Sequence, residues 1–329
     1  MSRAGSRRGL TAAVAGAAAA VLALLACAAA GSTAVTSPGA STDAGAAARP
    51  TYDRTVKCDL VERLPEPPRL IVFGGSRAQR FEPSVAEKLT GLPAFNFAVQ
   101  NSRPEDAYAM ARYLFWRAPS VKLRCLWALQ ATSIADSPLH PGLLAEPRLS
   151  QFLPDYLVSA QRRVSTSTEG RELAPDNEFT PRGDLVRNGY DARLARGVPF
   201  AKTLQGYLAK MVPRAGSPSP YGKMRARRFF ERTLQLFNLH DVEPVLVIMP
   251  YHPAALSAFR AAGWGAKEDE LKGYLESLKG TYRFRLLDYT DIAAFHGTAD
   301  AFYDGAHIKT ANARRILAQA VKDAPEAFR

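Results

Sequence analysis

Five short apolar runs punctuate the chain from residue 69 onward: RLIVF (69–73), AFNFAV (94–99), LRCLWAL (123–129), PVLVIM (244–249) and FRLLDY (284–289). They are largely continuous rather than alternating apolar with polar, so each reads as a strand buried on both faces. Between them the apolar positions take the spacing of amphipathic helices. SVAEKLTGL follows the first run, RPEDAYAMARYLFWRA the second, GAKEDELKGYLESLKG precedes the last, and TANARRILAQAVKDA closes the chain. Buried strands alternating with amphipathic helices predict an α/β domain in three layers, a parallel sheet covered by helices on both faces. In such sheets reactive groups collect at the carboxyl ends of the strands.

Two regions depart from this pattern. Residues 137–225 are rich in Pro, Arg, Ser and Gly and carry no clear strand, so they read as an insertion of loops and a few helices beside the sheet. At the other extreme, MSRAGSRRGL is basic and TAAVAGAAAAVLALLACAAA after it carries no charge, the form of an export signal. Three fates are open to residues 1–30: lipidation at Cys27 of the lipobox-like LLAC, ordinary cleavage near ACAAAG, or retention as an N-terminal membrane anchor. Each puts the body of the protein outside the cytoplasm, anchored to the cell membrane or secreted. Residues 31–57 open with small and polar residues, which predict a flexible tether leading to a domain over 58–329.

With 47% hydrophobic residues the chain can bury a real core. The net charge of +12 invites a nucleic-acid reading, but the basic residues are scattered. The densest patch, RARRFFER (225–232), carries Phe229 and Phe230 as the apolar face of a helix, so no nucleic-acid partner is expected and attraction to an anionic envelope surface fits better. Export also bears on the cysteines. Cys58 and Cys125 form an even pair for an oxidising compartment and are disulfide candidates, unless Cys125 is simply a small core residue. No Cys or His cluster has metal-ligand spacing and no glycine-rich loop suits a nucleotide, so neither metal nor cofactor is expected.

The candidate chemistry starts at Ser76, directly after the first strand and two glycines that permit a tight turn. Taken alone, the segment FGGSRA reads more readily as a helix cap with a helix starting behind it than as a nucleophile. Asp304 and His307, three residues apart in FYDGAH before the last helix, change that balance. A serine hydroxyl needs a base to take its proton, and an imidazole needs a carboxylate to set its tautomer. Asp304 can orient His307 while His307 reaches Ser76. Arg77 beside the serine and His252 in MPYHPAAL, past a strand end, are candidates for contacting substrate.

These blocks, in this order, resemble the SGNH (GDSL-like) hydrolases, whose fold is three-layered and flavodoxin-like. FGGSRA is similar to the nucleophile block, with Gly75 where many members have Asp. NFAVQNSRPED (96–106) is similar to the second block, with Asn101 at its usual Gly; WALQATS (127–133) is similar to the third, with Gln130 at its usual Asn; and YDGAH is the most specific match. The resemblance implies Ser76 as nucleophile, His307 as general base then acid, and Asp304 as its orienting carboxylate. It also implies an oxyanion site made of the Ser76 and Asn101 amides and the Gln130 side chain. The nearest branch is envelope-associated, including DltD-like and alginate acetyltransferase-type proteins. It implies an esterase or O-acyltransferase acting on an acylated envelope glycan or small ester, with a membrane-bound acyltransferase as a partner. The alternative left open by Asn101 and Gln130 is a catalytically weak relative that binds envelope polymer or such a partner.

Overall fold

The computed structural model describes residues 52–329, apart from 131, 136, 165–176 and 217–223. The expectations for residues 1–51, including the export signal and Cys27, lie outside the described residues.

All five apolar runs form strands: β1 (Leu70–Phe73), β2 (Ala94–Asn96), β3 (Arg124–Leu129), β6 (Val245–Ile248) and β7 (Arg285–Asp288). They build one sheet in the order β2–β1–β3–β6–β7, every neighbouring pair parallel. The register sets Val72 beside Leu126 and Leu126 beside Val245, so side chains from adjacent strands stack into rows. Strand pleating then sends alternate residues to opposite faces. Ile71, Phe73, Cys125, Trp127, Leu246 and Ile248 enter one core, whereas Leu70, Val72, Leu126, Ala128, Val245 and Val247 enter the other. Burying each of these larger side chains stabilises the fold by roughly 1.5–3 kcal/mol before entropy is counted.

Helices cover both cores. In chain order they are α1 (Asp53–Glu62), α2 (Pro83–Thr90) and α3 (Pro104–Arg117), then α4 (Pro141–Ala145), α5 (Pro147–Ser150), α6 (Asp155–Val164), α7 (Gly189–Ala195) and α8 (Phe200–Ala215) within the insertion. After it come α9 (Met224–Leu239), α10 (Pro253–Ala261), α11 (Gly265–Leu278) and α12 (Thr310–Asp323). Tyr113 and Leu114 of α3, Phe230 and Phe237 of α9 and Leu271 and Leu275 of α11 fill the first core, and Ala86 of α2 with Ile316 and Leu317 of α12 fill the second. The result is an α/β domain with helices on both sides of the sheet. Proline opens both α2 and α3, where its missing N–H costs nothing.

Four expectations need correction. The folded part begins before residue 58: Arg54 and Lys57 are fully buried, Arg54 pairing with Asp106 at 2.8 Å and Lys57 donating to the Asn96 carbonyl at 2.7 Å. Polar side chains at these positions look solvent-facing in sequence, but here they satisfy buried acceptors. The insertion does contain strands, β4 (Glu178–Phe179) and β5 (Leu185–Arg187), as a small antiparallel hairpin too short to leave a pattern. No helix starts directly behind Ser76. Residues 76–80 form turns instead, because the Asn96 amide takes the carbonyls of Ala78 at 2.9 Å and Phe81 at 2.8 Å. Finally, Cys58 and Cys125 are free buried thiols, not a disulfide. Burial pushes both well above their ordinary pKa, so each behaves as a small apolar core residue.

Candidate active site

The loops at the carboxyl ends of β1, β2, β3, β6 and β7 carry every residue that the sequence nominates for catalysis, the oxyanion or substrate contact. Gly74 ends β1 at φ +151°, and a Cβ there would meet Ala78 Cβ at 2.8 Å and Ala128 Cβ at 2.9 Å. Only glycine lets the chain turn so close to β3. The Ala78 amide closes the next turn on the Gly75 carbonyl at 2.9 Å, leaving the Ser76 side chain half-buried at the rim.

Ser76 Oγ lies 3.0 Å from His307 Nε2, and His307 Nδ1 lies 2.8 Å from Asp304 Oδ2. The other carboxylate oxygen, Oδ1, accepts the amides of Ala306 at 2.8 Å and His307 at 2.7 Å. Burial by itself would raise the Asp304 carboxyl. The interaction with His307 and the hydrogen bonds outweigh it and hold the group well below the usual carboxylate range. An ionised Asp304 only accepts, so Nδ1 of His307 carries the proton and the bare Nε2 faces the serine hydroxyl. That is the tautomer a general base needs.

The turn that presents Asn101 is held from beneath by α1. Arg54 donates to the Gln100 carbonyl at 2.9 Å, and the Gln100 amide donates to Asp53. Ser102 closes the turn on Val99 at 3.2 Å, and Asn101 takes φ +51°, the left-handed conformation that Asn tolerates. Among the described residues, neither the Ser76 amide, the Asn101 amide nor the Gln130 side chain has a protein hydrogen-bond partner. The Gln130 backbone is fixed by Ser133, whose Oγ accepts its amide at 2.9 Å. A recess lined by Gly74, Gly75, Ser102 and Ser133 joins these three loops.

Arg77 and His252 do not stand free for substrate. Arg77 is 4% exposed, donates to the Ala306 carbonyl at 3.1 Å and to that of Pro250, and lies 4.4 Å over the Tyr251 ring. His252 holds the Gly305 carbonyl through its amide at 3.0 Å, while its Nδ1 caps α10 by accepting the Ala254 amide at 3.2 Å. The Arg77 guanidinium and the His252 backbone amide both hold the loop that carries Asp304 and His307. They were read as substrate contacts because a strand end predicts which loop a residue is on, not which way it turns.

Sequence reasoning missed Tyr190, from α7 of the insertion. Its hydroxyl donates to Asp304 Oδ2 at 2.7 Å and lies 3.1 Å from His307 Nδ1. The only cue in the sequence is the capping pattern Asn188–Asp191, which marks a helix start but not its neighbour.

A scan against protein-family models finds none that matches this chain, and a search of curated proteins finds no match either. Among the described residues no group of His, Cys, Asp and Glu is arranged to hold a metal ion.

Proposed function

We propose that the protein is a serine esterase or O-acyltransferase of the SGNH type, working through Ser76, His307 and Asp304. The observation that carries this reading is the unbroken relay from Ser76 Oγ to His307 Nε2 at 3.0 Å and from Nδ1 to Asp304 at 2.8 Å. Counting the parallel strands alone, the order β2–β1–β3–β6–β7 is the 2-1-3-4-5 order of flavodoxin-like sheets, which supports the finer fold assignment.

In the reaction, Oγ of Ser76 attacks an ester carbonyl as its proton moves to Nε2. The tetrahedral oxyanion is met by the Ser76 and Asn101 amides and the Gln130 side chain, each such donor being worth roughly 3 kcal/mol. Collapse breaks the bond to the alcohol, which leaves with the proton from His307, and Ser76 keeps the acyl group. Water or a sugar hydroxyl then attacks the acyl carbon and gives its proton to Nε2; collapse breaks the bond to Oγ, which takes that proton back, and the acyl group leaves as the acid or a new ester. The basic, charge-free and tether-like segments at the N-terminus favour an exported, membrane-associated protein whose substrate is an acylated envelope glycan.

A fluorophosphonate probe tests the proposal. Labelling of Ser76 in the wild type that disappears in Ser76→Ala and His307→Ala is the expected result. A folded wild-type protein that stays unlabelled would instead fit a polymer-binding relative.

A further inference from the structure

The insertion reaches the side chains of the relay through Tyr190. Asp304 is 2% exposed, and its Oδ1 is filled by two backbone amides. Its Oδ2 takes two donors, His307 Nδ1 at 2.8 Å and the Tyr190 hydroxyl at 2.7 Å. The helix that delivers Tyr190 is pinned on the same side. Asn188 caps it, accepting the Tyr190 amide at 2.9 Å; Asp191 accepts from Arg80 and, at 2.6 Å, from the Tyr303 hydroxyl. The Tyr190 ring stacks on Tyr303 with centroids 5.5 Å apart and tilts against His307 at 5.0 Å.

Building on the reading of Ser76, His307 and Asp304 as a catalytic relay, we propose that Tyr190 is a positioning residue of that relay, acting through Asp304. Its hydroxyl holds Oδ2 where His307 Nδ1 meets it and draws off part of the carboxylate charge. The insertion is thereby part of the catalytic machinery, and the relay is complete only when α7 is seated. Removing the hydroxyl leaves a buried carboxylate oxygen one donor short, which costs more than an exposed bond would.

The test is Tyr190→Phe in the full chain, which keeps the ring. The imidazole of His307, followed by NMR, should titrate about half a unit higher, because a carboxylate with fewer donors holds the imidazolium more strongly. The other charged groups near the pair, Arg77, Arg80, Asp191 and Arg193, are untouched by the change. Fluorophosphonate labelling of Ser76 should slow about tenfold. In an Asp304→Asn background, where no carboxylate charge remains to be drawn off, the same substitution should move the titration less.

Asn188→Ala removes the cap of α7 without changing any charge and spares the hydroxyl, so it should shift His307 in the same direction by less; it decides the matter if Tyr190→Phe does not fold. Titration of His307 in Tyr190→Phe indistinguishable from wild type overturns the proposal. A wild type that never labels overturns the catalytic reading alone, since the titration still reports whether Tyr190 acts on the Asp304–His307 pair.

Discussion

The ring of Tyr207 occupies the space that a side chain at position 305 would need: a Cβ on Gly305 would lie 2.3 Å from Tyr207 Cδ1 and 2.9 Å from Ala255 Cβ. Tyr207 belongs to α8 of the insertion, Ala255 to α10, and Gly305 follows Asp304 directly. The bare backbone between Asp304 and His307 therefore lets two elements close over it. Together with Tyr190 on Asp304 and His252 on the Gly305 carbonyl, this contact makes the Asp304–His307 loop a packed junction.

Gly305→Ala should accordingly lose about 1–3 kcal/mol, the usual cost of overfilling a packed site. Chemical denaturation measures it. Pairing the change with Tyr207→Leu should recover part of the loss, and no recovery would mean that Tyr207 is not the obstacle.

The two glycines before Ser76 should behave differently. Gly74→Ala meets Ala78 and Ala128 at φ +151° and should destabilise by about 2 kcal/mol or more. At Gly75 nothing lies within 4 Å of an added Cβ, so Gly75→Ala should be neutral or stabilise by up to about 1 kcal/mol. Thermal melts of the pair decide; equal losses would contradict the geometry.

The oxyanion reading divides Asn101 from Gln130. Asn101→Gly keeps both the left-handed backbone and the amide and should leave labelling of Ser76 nearly unchanged, whereas Asn101→Val should cost about 1–2 kcal/mol of stability. Gln130→Ala should keep stability and slow turnover of a simple ester by roughly a hundredfold. Full activity in Gln130→Ala would remove that side chain from the oxyanion site.

Acid sensitivity should come first from a histidine outside the site. His140 caps α4 by accepting the Gly142 amide at Nδ1, 3.0 Å away, and burial pulls its pKa from 6.5 to about 4. The folded state thus resists protonation, so the His140 contribution is full above pH 6.5 and is lost as pH falls to about 4. The loss is of order 3 kcal/mol, about 2.5 units at 1.36 kcal/mol each. His252, also lowered by burial and also capping through Nδ1, adds in the same direction. His140→Asn keeps an acceptor for Gly142 and should flatten the slope of stability between pH 6.5 and 4. An unchanged slope would acquit His140.

Much of the frame was readable in the chain itself. Continuous apolar runs such as RLIVF and PVLVIM read as strands buried on both faces, and the helices between them announce themselves by their period. The Asp304–His307 pairing is local, three residues within one turn, so sequence determined it as well. Tertiary structure alone decided the rest. Whether Ser76 meets a histidine 231 residues away depends on both loops ending at the same edge of one sheet. Arg77 and His252 were placed on the right loops, but the direction of Arg77 follows from the carbonyls of Pro250 and Ala306, and that of His252 from the Ala254 amide it caps. Tyr190 and the α1 network under Asn101 left no trace because hydrogen bonds over 114 or 46 residues have no period to read. Burial patterns repeat along a chain and can be counted, whereas a single polar contact between distant segments exists only once the chain has closed on itself.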